Sequence, residues 1–184
     1  MSKVAFLVEG YMEQKIIQSL CPGATVQRIG CNGKDVPIAV MAKFIISRFN
    51  LFNNRYFPII ILFDREKRSE SRSKLQKTLS QILDENGFSG QYIIGIADRT
   101  IENWILTNRE MLEEQFSKQI DTYDNADGNF GKSELKKIVG SSYHTATKGV
   151  ELFLKCDPKK MVERSHSFRD FANSARNHCR WLHQ

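Results

Sequence analysis

The sequence predicts an α/β domain: a mostly parallel four-stranded sheet with flanking helices and a helical C-terminal extension. Three observations carry this. Short apolar runs alternate with helical stripes over residues 1–107. The strongest run, Phe57–Phe63 (FPIIILF), lacks polar alternation, as a parallel strand covered on both faces does. Beyond Leu106 strand signals cease and shorter helical stripes follow, with no linker composition between them, so 108–184 reads as a layer on the same domain.

Lys3–Val8 is the first strand. Met12, Ile16, Ile17 and Leu20 form a helical stripe stopped by Pro22-Gly23. Ala24–Ile29, less apolar, suits a second strand nearer an edge. Asp35 is placed to cap a helix with Pro37 in its first turn and the stripe Val36, Val40, Met41, Phe44, Ile45, ending near Asn50. After the Phe57–Phe63 strand, Leu75, Leu79, Ile82 and Leu83 mark a helix closed by Asn86-Gly87, and Gln91–Ala97 is the fourth strand. Thr100–Leu106 and Arg109–Phe116 read as helices, Asp121–Gly131 as a polar loop. Gly131–Val139, Lys148–Leu154 and Phe168–Arg176 read as further helices, the last with Ser167 and Asp170 spaced as a capping box.

The 184 residues are 41% hydrophobic, enough for one core, and no apolar run approaches the length of a membrane span. Met1-Ser2-Lys3-Val4 leads straight into a strand, which predicts no secretory leader and a cytoplasmic chain. Four cysteines, Cys21, Cys31, Cys156 and Cys179, are widely spaced without a CxxC pair. That argues against a zinc ribbon, a CxxC redox site or a disulfide-knotted fold. A net charge of +6 is compatible with a nucleic-acid partner and decides nothing alone.

The acids are better placed than the net charge suggests. In a parallel α/β sheet, ligands gather at the carboxyl ends of strands. The three strongest strands end in Glu9 (with Glu13 a turn later), in Asp64-Arg65-Glu66, and in Asp98 (with Glu102 a turn later). Gly10 suits the tight turn after Glu9, and Asp64 and Glu66 point the same way while the chain stays extended. A lone acid at such a place serves well as a helix cap. Three strand tips carrying carboxylates to one edge repel one another unless a cation neutralises them, and hard oxygen ligands suit Mg2+ or Mn2+.

Val8-Glu9-Gly10-Tyr11-Met12-Glu13 resembles the first motif of Toprim domains, which topoisomerases, bacterial primases and several nucleases share. Ile59–Phe63 followed by Asp64-Arg65-Glu66 resembles their second motif, with Glu66 where Asp is usual. The resemblance implies acid/base or metal-binding work for Glu9 and metal ligation by Asp64 and Glu66. Glu13, the Asp98/Glu102 pair and Lys148 in Thr147-Lys148-Gly149 look similar to further acids and a lysine of the overcoming-lysogenisation-defect nucleases. Ile101-Glu102-Asn103-Trp104 and Ser165-His166-Ser167-Phe168-Arg169-Asp170-Phe171 resemble segments of small stand-alone Toprim-like proteins found beside ABC-type ATPases in apparent anti-phage defence loci.

What this implies is a nuclease using one or two Mg2+ (or Mn2+) to cleave phosphodiester bonds in DNA or RNA, with an ABC-type ATPase as partner. Lys148 would offset charge on the pentavalent phosphorus. Arg65, Lys67, Arg68 and Arg72 would meet a phosphate backbone entering the metal edge. A second copy of the chain is an open partner. Glu110–Asp127, with six acids and one lysine, reads as a mobile acidic loop or partner surface without EF-hand spacing. Two other readings compete: a non-catalytic binding subunit of an ATPase complex, and a primase or ribosomal-RNA maturase.

Overall fold

A computed structural model of the chain describes residues 3–31, 36–121 and 125–183. The strands β1 (Lys3–Val8), β2 (Thr25–Arg28), β3 (Tyr56–Asp64) and β4 (Tyr92–Ala97) form one sheet in the order β2-β1-β3-β4. Every pairing is parallel, so the expected α/β architecture is present and its sheet is parallel throughout. Of the four strands, β2 is the least buried, as an edge position allows.

Nine α-helices follow the described chain: α1 (Tyr11–Leu20), α2 (Ile38–Phe52), α3 (Arg72–Glu85), α4 (Glu102–Leu106), α5 (Arg109–Phe116), α6 (Gly131–Val139), α7 (Val150–Leu154), α8 (Pro158–Arg164) and α9 (His166–Ala175). Side chains alternate across the pleat, and the two faces are filled by different helices. Ala5, Leu7, Ile59, Ile61 and Phe63 pack with Met41 and Ile45 of α2 and Leu75 and Leu79 of α3. Phe6, Val8, Ile60 and Leu62 face the other way, into one cluster with α1, α4, α7 and α9. The C-terminal helices are thus one outer layer of the sheet.

Trp104 is the hub of that layer, 1% exposed, with Phe168 and Phe171 at 5.0 and 5.7 Å between ring centroids. Its indole Nε1 donates to Ser167 Oγ at 2.8 Å, which satisfies the one polar group of a buried ring. On β4, Gly95 leaves the room that Phe171 takes; a Cβ there would run into the ring. The Glu102-Asn103-Trp104 and Ser165–Phe171 segments, 60 residues apart in sequence, therefore meet to clamp the C-terminal layer on the sheet.

Several local expectations change. Helix α2 begins directly after Pro37 and extends to Phe52, where Asn53 closes it in the left-handed region; the Asp35 cap lies outside the described residues. The cap of α9 is Ser165, whose Oγ accepts from Phe168 N at 3.1 Å. Ser167 lies inside the helix and donates to Asp127 Oδ1 at 2.6 Å, so the Ser167/Asp170 box is not the cap. Helix α8 was not foreseen, although Asp157-Pro158 is a cap followed by an N1 proline, and Asp157 Oδ1 accepts from Lys159 N at 2.9 Å. The expected Lys148–Leu154 helix starts as a π-helical turn, Thr145–Gly149, before α7.

Spacing in sequence concealed a pairing of cysteines. Cys21, just after α1, and Cys179, after the short 3-10 turn Arg176–His178 that follows α9, form a disulfide across 158 residues, with Cα atoms 5.3 Å apart. Cys31 and Cys156 are buried thiols. No helix among the described residues is long and apolar enough to cross a membrane.

Candidate functional site: an acidic cavity at the strand tips

The order β2-β1-β3-β4 reverses direction between β1 and β3, and at such a switch point the carboxyl ends of adjacent strands splay to leave a crevice. Glu9 and Asp64 follow or end those two strands. Asp64 N donates to Glu9 Oε2 at 3.1 Å, so the first carboxylate reaches across beneath the tip of the second strand. Asp64 turns its own carboxyl inward: it is 9% exposed and its Oδ1 accepts from Ile101 N at 3.0 Å. That bond folds the chain after β4 back over β3 and carries Glu102 in from the far side.

Glu102 is 2% exposed and is met by two hydroxyls, Tyr143 at 3.3 Å and Thr145 at 3.4 Å, both from the C-terminal layer. Glu13 curls back over the start of α1 toward Gly10, where the nearby backbone favours its charged form but does not outweigh burial. A Cβ at Gly10 would lie 2.7 Å from Glu13 Oε2. The glycine therefore serves to make room for Glu13; its backbone is extended, so conformational freedom is not the reason.

Glu9, Glu13, Asp64, Glu66 and Glu102 line one cavity of about 480 Å3, in the size range of ligand sites. Burial pushes the Glu13 carboxyl up to about 7, helped by the nearby charges of Glu102 and Glu9. Burial likewise raises Asp64 well above the usual carboxylate range, reinforced by Glu13, Glu102, Glu9 and Glu66. Both shifts come first from desolvation and then from like charges crowded nearby.

The sixth acid is elsewhere. Asp64 is in register with Ala97, which sets Arg65 level with Asp98, and those two form an ion pair. Asp98 lines a separate cavity with Arg72 and Asp170. Glu66 does reach the acidic cavity, but not along an extended strand: its φ is +51°, and its N–H donates to Arg99 O at 2.7 Å, Arg99 itself having φ +69°. Two neighbouring left-handed residues cost of order 1–3 kcal/mol each and sit, as such residues often do, beside a site.

The expected basic residues divide in the same way. Arg68 is buried, donating to Val36 O at 3.1 Å and Asp64 O at 2.7 Å, and its Nη2 stands 3.8 Å from Glu9 Oε1. It positions the first carboxylate from inside and is no surface cation. Arg72 pairs with Asp170 at 3.1 Å. Lys67 is exposed. Lys148 binds Glu151 at 2.9 Å and does not line the cavity; from its π-helical turn Thr145 and Ala146 do. The acidic stretch is also used internally, Glu110 by Arg164 and Lys160, and Asp127 by Ser165 and Ser167.

The cation that does line the acidic cavity beside Arg28 is Lys132, which sequence reasoning missed. It is delivered by a close approach of α6 to α4. Gly131 N donates to Asn103 Oδ1 at 2.7 Å, while Asn103 Nδ2 donates to Asp98 O and Asn129 O, both at 2.9 Å. A Cβ on Gly131 would strike the Asn103 side chain and backbone. The buried Asn between Glu102 and Trp104 was the available signal: a buried amide needs partners, and a Gly after a polar loop provides one.

The donor chemistry of the cavity, carboxylates with the hydroxyls of Thr100 and Thr145, suits a hard divalent cation. Among the described residues, however, no three His, Cys, Asp or Glu side chains are arranged to hold one ion. The reason is visible in the contacts: Glu9 and Asp64 are turned onto backbone N–H groups, and Glu102 onto Tyr143 and Thr145. Comparisons with protein-family models, with curated proteins and with solved structures return no match.

Proposed function

We propose that the chain is a divalent-metal-dependent nuclease, with Glu9, Asp64 and Glu102 holding Mg2+ or Mn2+ and Glu13 and Glu66 completing the acidic surround. The observation that carries this reading is the convergence of five carboxyls at the switch point, two of them pushed toward the protonated form by burial and by the charges of their acidic neighbours. A bound divalent ion would supply an activated water and neutralise charge on a phosphodiester. The chain's own residues do the positioning. Ile101 N–H fixes the Asp64 carboxyl, Arg68 and Asp64 N–H fix Glu9, and Tyr143 fixes Glu102. Glu13, poised near 7, can hold or release a proton in the working range of pH. Lys132 at the rim is placed to meet a phosphate, the task the sequence assigned to Lys148. The resemblance of VEGYME and the following motifs to Toprim nucleases supports the same chemistry, and with it an ABC-type ATPase as partner.

A plasmid and total tRNA, incubated with the chain in Mg2+ or Mn2+, test the reading. Cleavage that disappears in EDTA and in Asp64→Asn and Glu9→Gln supports it. Cleavage that these variants leave untouched overturns it.

The second reading is a non-catalytic Toprim-like subunit that docks on an ATPase. Its support is that Glu9, Asp64 and Glu102 are already satisfied by internal donors. Intact partner binding with no divalent-ion uptake selects it.

A further inference from the structure

Beside the acidic cavity lies a second one, of about 370 Å3, sharing Glu66, Thr100 and Lys132 with it as a common wall. Its chemistry is the reverse. Lys67, Lys132, Lys136 and Arg99 line it, and Glu66 is the only acid among the described residues that do. Lys132 and Lys136 are one turn apart on α6 and share a face. Several cations elsewhere are paired with acids: Arg65 with Asp98, Arg72 with Asp170, Lys148 with Glu151, Arg164 with Glu110. A cavity that keeps Lys67, Lys132 and Lys136 together opposite one shared acid attracts a polyanion.

The same cavity contains an aromatic ring. Phe130 is 60% exposed, which exposure alone would penalise, and Arg99 lies over the ring with its guanidinium carbon 4.6 Å from the centroid. Arg99 is fixed there by donating Nε to Gly128 O at 3.0 Å. A cation-backed ring with much of its surface bare, next to a cluster of lysines, is the arrangement that stacks an unpaired base. On the shared wall, Thr100 Oγ1 is buried and finds no hydrogen-bond partner among the described residues.

We infer that this cavity is a subsite for single-stranded nucleic acid, in which a base stacks on Phe130 and the flanking phosphates contact Lys67, Lys132 and Lys136 while the strand continues into the acidic cavity. The inference rests on the nuclease reading for what happens in that second cavity, but not for binding in the first. Duplex bases are already stacked and cannot reach the ring, so the subsite selects single strands, loops or frayed ends.

Fluorescence anisotropy in EDTA, with a fluorescein-labelled 15-mer of deoxythymidine, the uridine equivalent and a duplex of equal length, tests this apart from cleavage. Phe130→Ala should weaken single-strand binding about tenfold and leave duplex binding unchanged, whereas Phe130→Tyr should keep wild-type affinity. Lys132→Ala should reduce the dependence of log K on log salt by about 0.7, one phosphate contact's share for a single strand. Equal affinity of Phe130→Ala and wild type for the single strands, or tighter duplex binding by wild type, overturns the subsite. Metal-dependent cleavage alongside such a result leaves the nuclease reading standing. Phe130-dependent binding by a chain that cleaves nothing leaves the subsite standing and removes the nuclease.

Discussion

Replacing Glu13 by Gln should stabilise the metal-free protein at alkaline pH and leave it unchanged in acid. The buried Glu13 carboxyl holds its proton up to about 7, against an ordinary 4.5, chiefly through burial. The unfolded chain therefore loses this proton first, and the stability that the protonated carboxyl contributes, fully present below pH 4.5, drains away as pH rises through about 7. At ~1.4 kcal/mol per pH unit between those two values, the loss reaches roughly 3 kcal/mol above pH 8. For a chain of this size that is a melting-temperature difference on the order of 10 °C, with Glu13→Gln the higher. Denaturant titrations in EDTA at half-unit steps from pH 4.5 to 8.5 measure it directly. The two proteins should coincide near pH 4.5 and diverge steadily between pH 5 and 7.5. Parallel profiles over the whole range would refute the argument that Glu13 is a desolvated carboxyl facing other acids. Saturating Mn2+ at pH 8 should raise the wild type's stability far more than the variant's, since the ion removes the repulsion that the substitution has already removed.

Gly131→Ala forces a methyl into the backbone of α4, so it should cost roughly 1–3 kcal/mol in a thermal melt. Ser167→Ala leaves the Trp104 indole N–H buried without an acceptor, a loss of about 1–3 kcal/mol in denaturant titration, whereas the exposed Ser69→Ala should change nothing measurable. Cys179→Ser opens a loop of 158 residues and should lower stability under oxidising conditions by roughly 2–5 kcal/mol, with wild type falling to the same value once reduced.

The parts of the fold governed by local pattern were legible. Four apolar runs gave four strands, and the β-branched Phe57–Phe63 segment became the long inner strand β3. Strand-tip position then sufficed to bring Glu9, Asp64 and their near neighbours to one cavity, because the carboxyl ends of parallel strands share an edge. What misled was everything set by register or by tertiary partners. Asp98 falls level with Arg65 through the β3–β4 register, which no periodicity reveals. Glu66 reaches the cavity from a left-handed residue instead of an extended one. Arg68 looked like part of a basic run and is a buried tie to Glu9, while Lys132, with no motif around it, is brought in by the Gly131–Asn103 contact. The Ser165–Phe171 segment, read through its resemblance, turns out to carry packing: its serines and phenylalanines hold Trp104 and Asp127.

Titration calorimetry with Mn2+ at pH 7.5, run in two buffers of different ionisation enthalpy, tests the central claim that these carboxyls form a cation site. Saturable binding to the wild type with net proton release is expected, as the raised Glu13 and Asp64 carboxyls give up protons to an ion, with loss of that binding in Asp64→Asn. Absence of Mn2+ uptake by the folded wild type, or uptake that Asp64→Asn leaves intact, would contradict it.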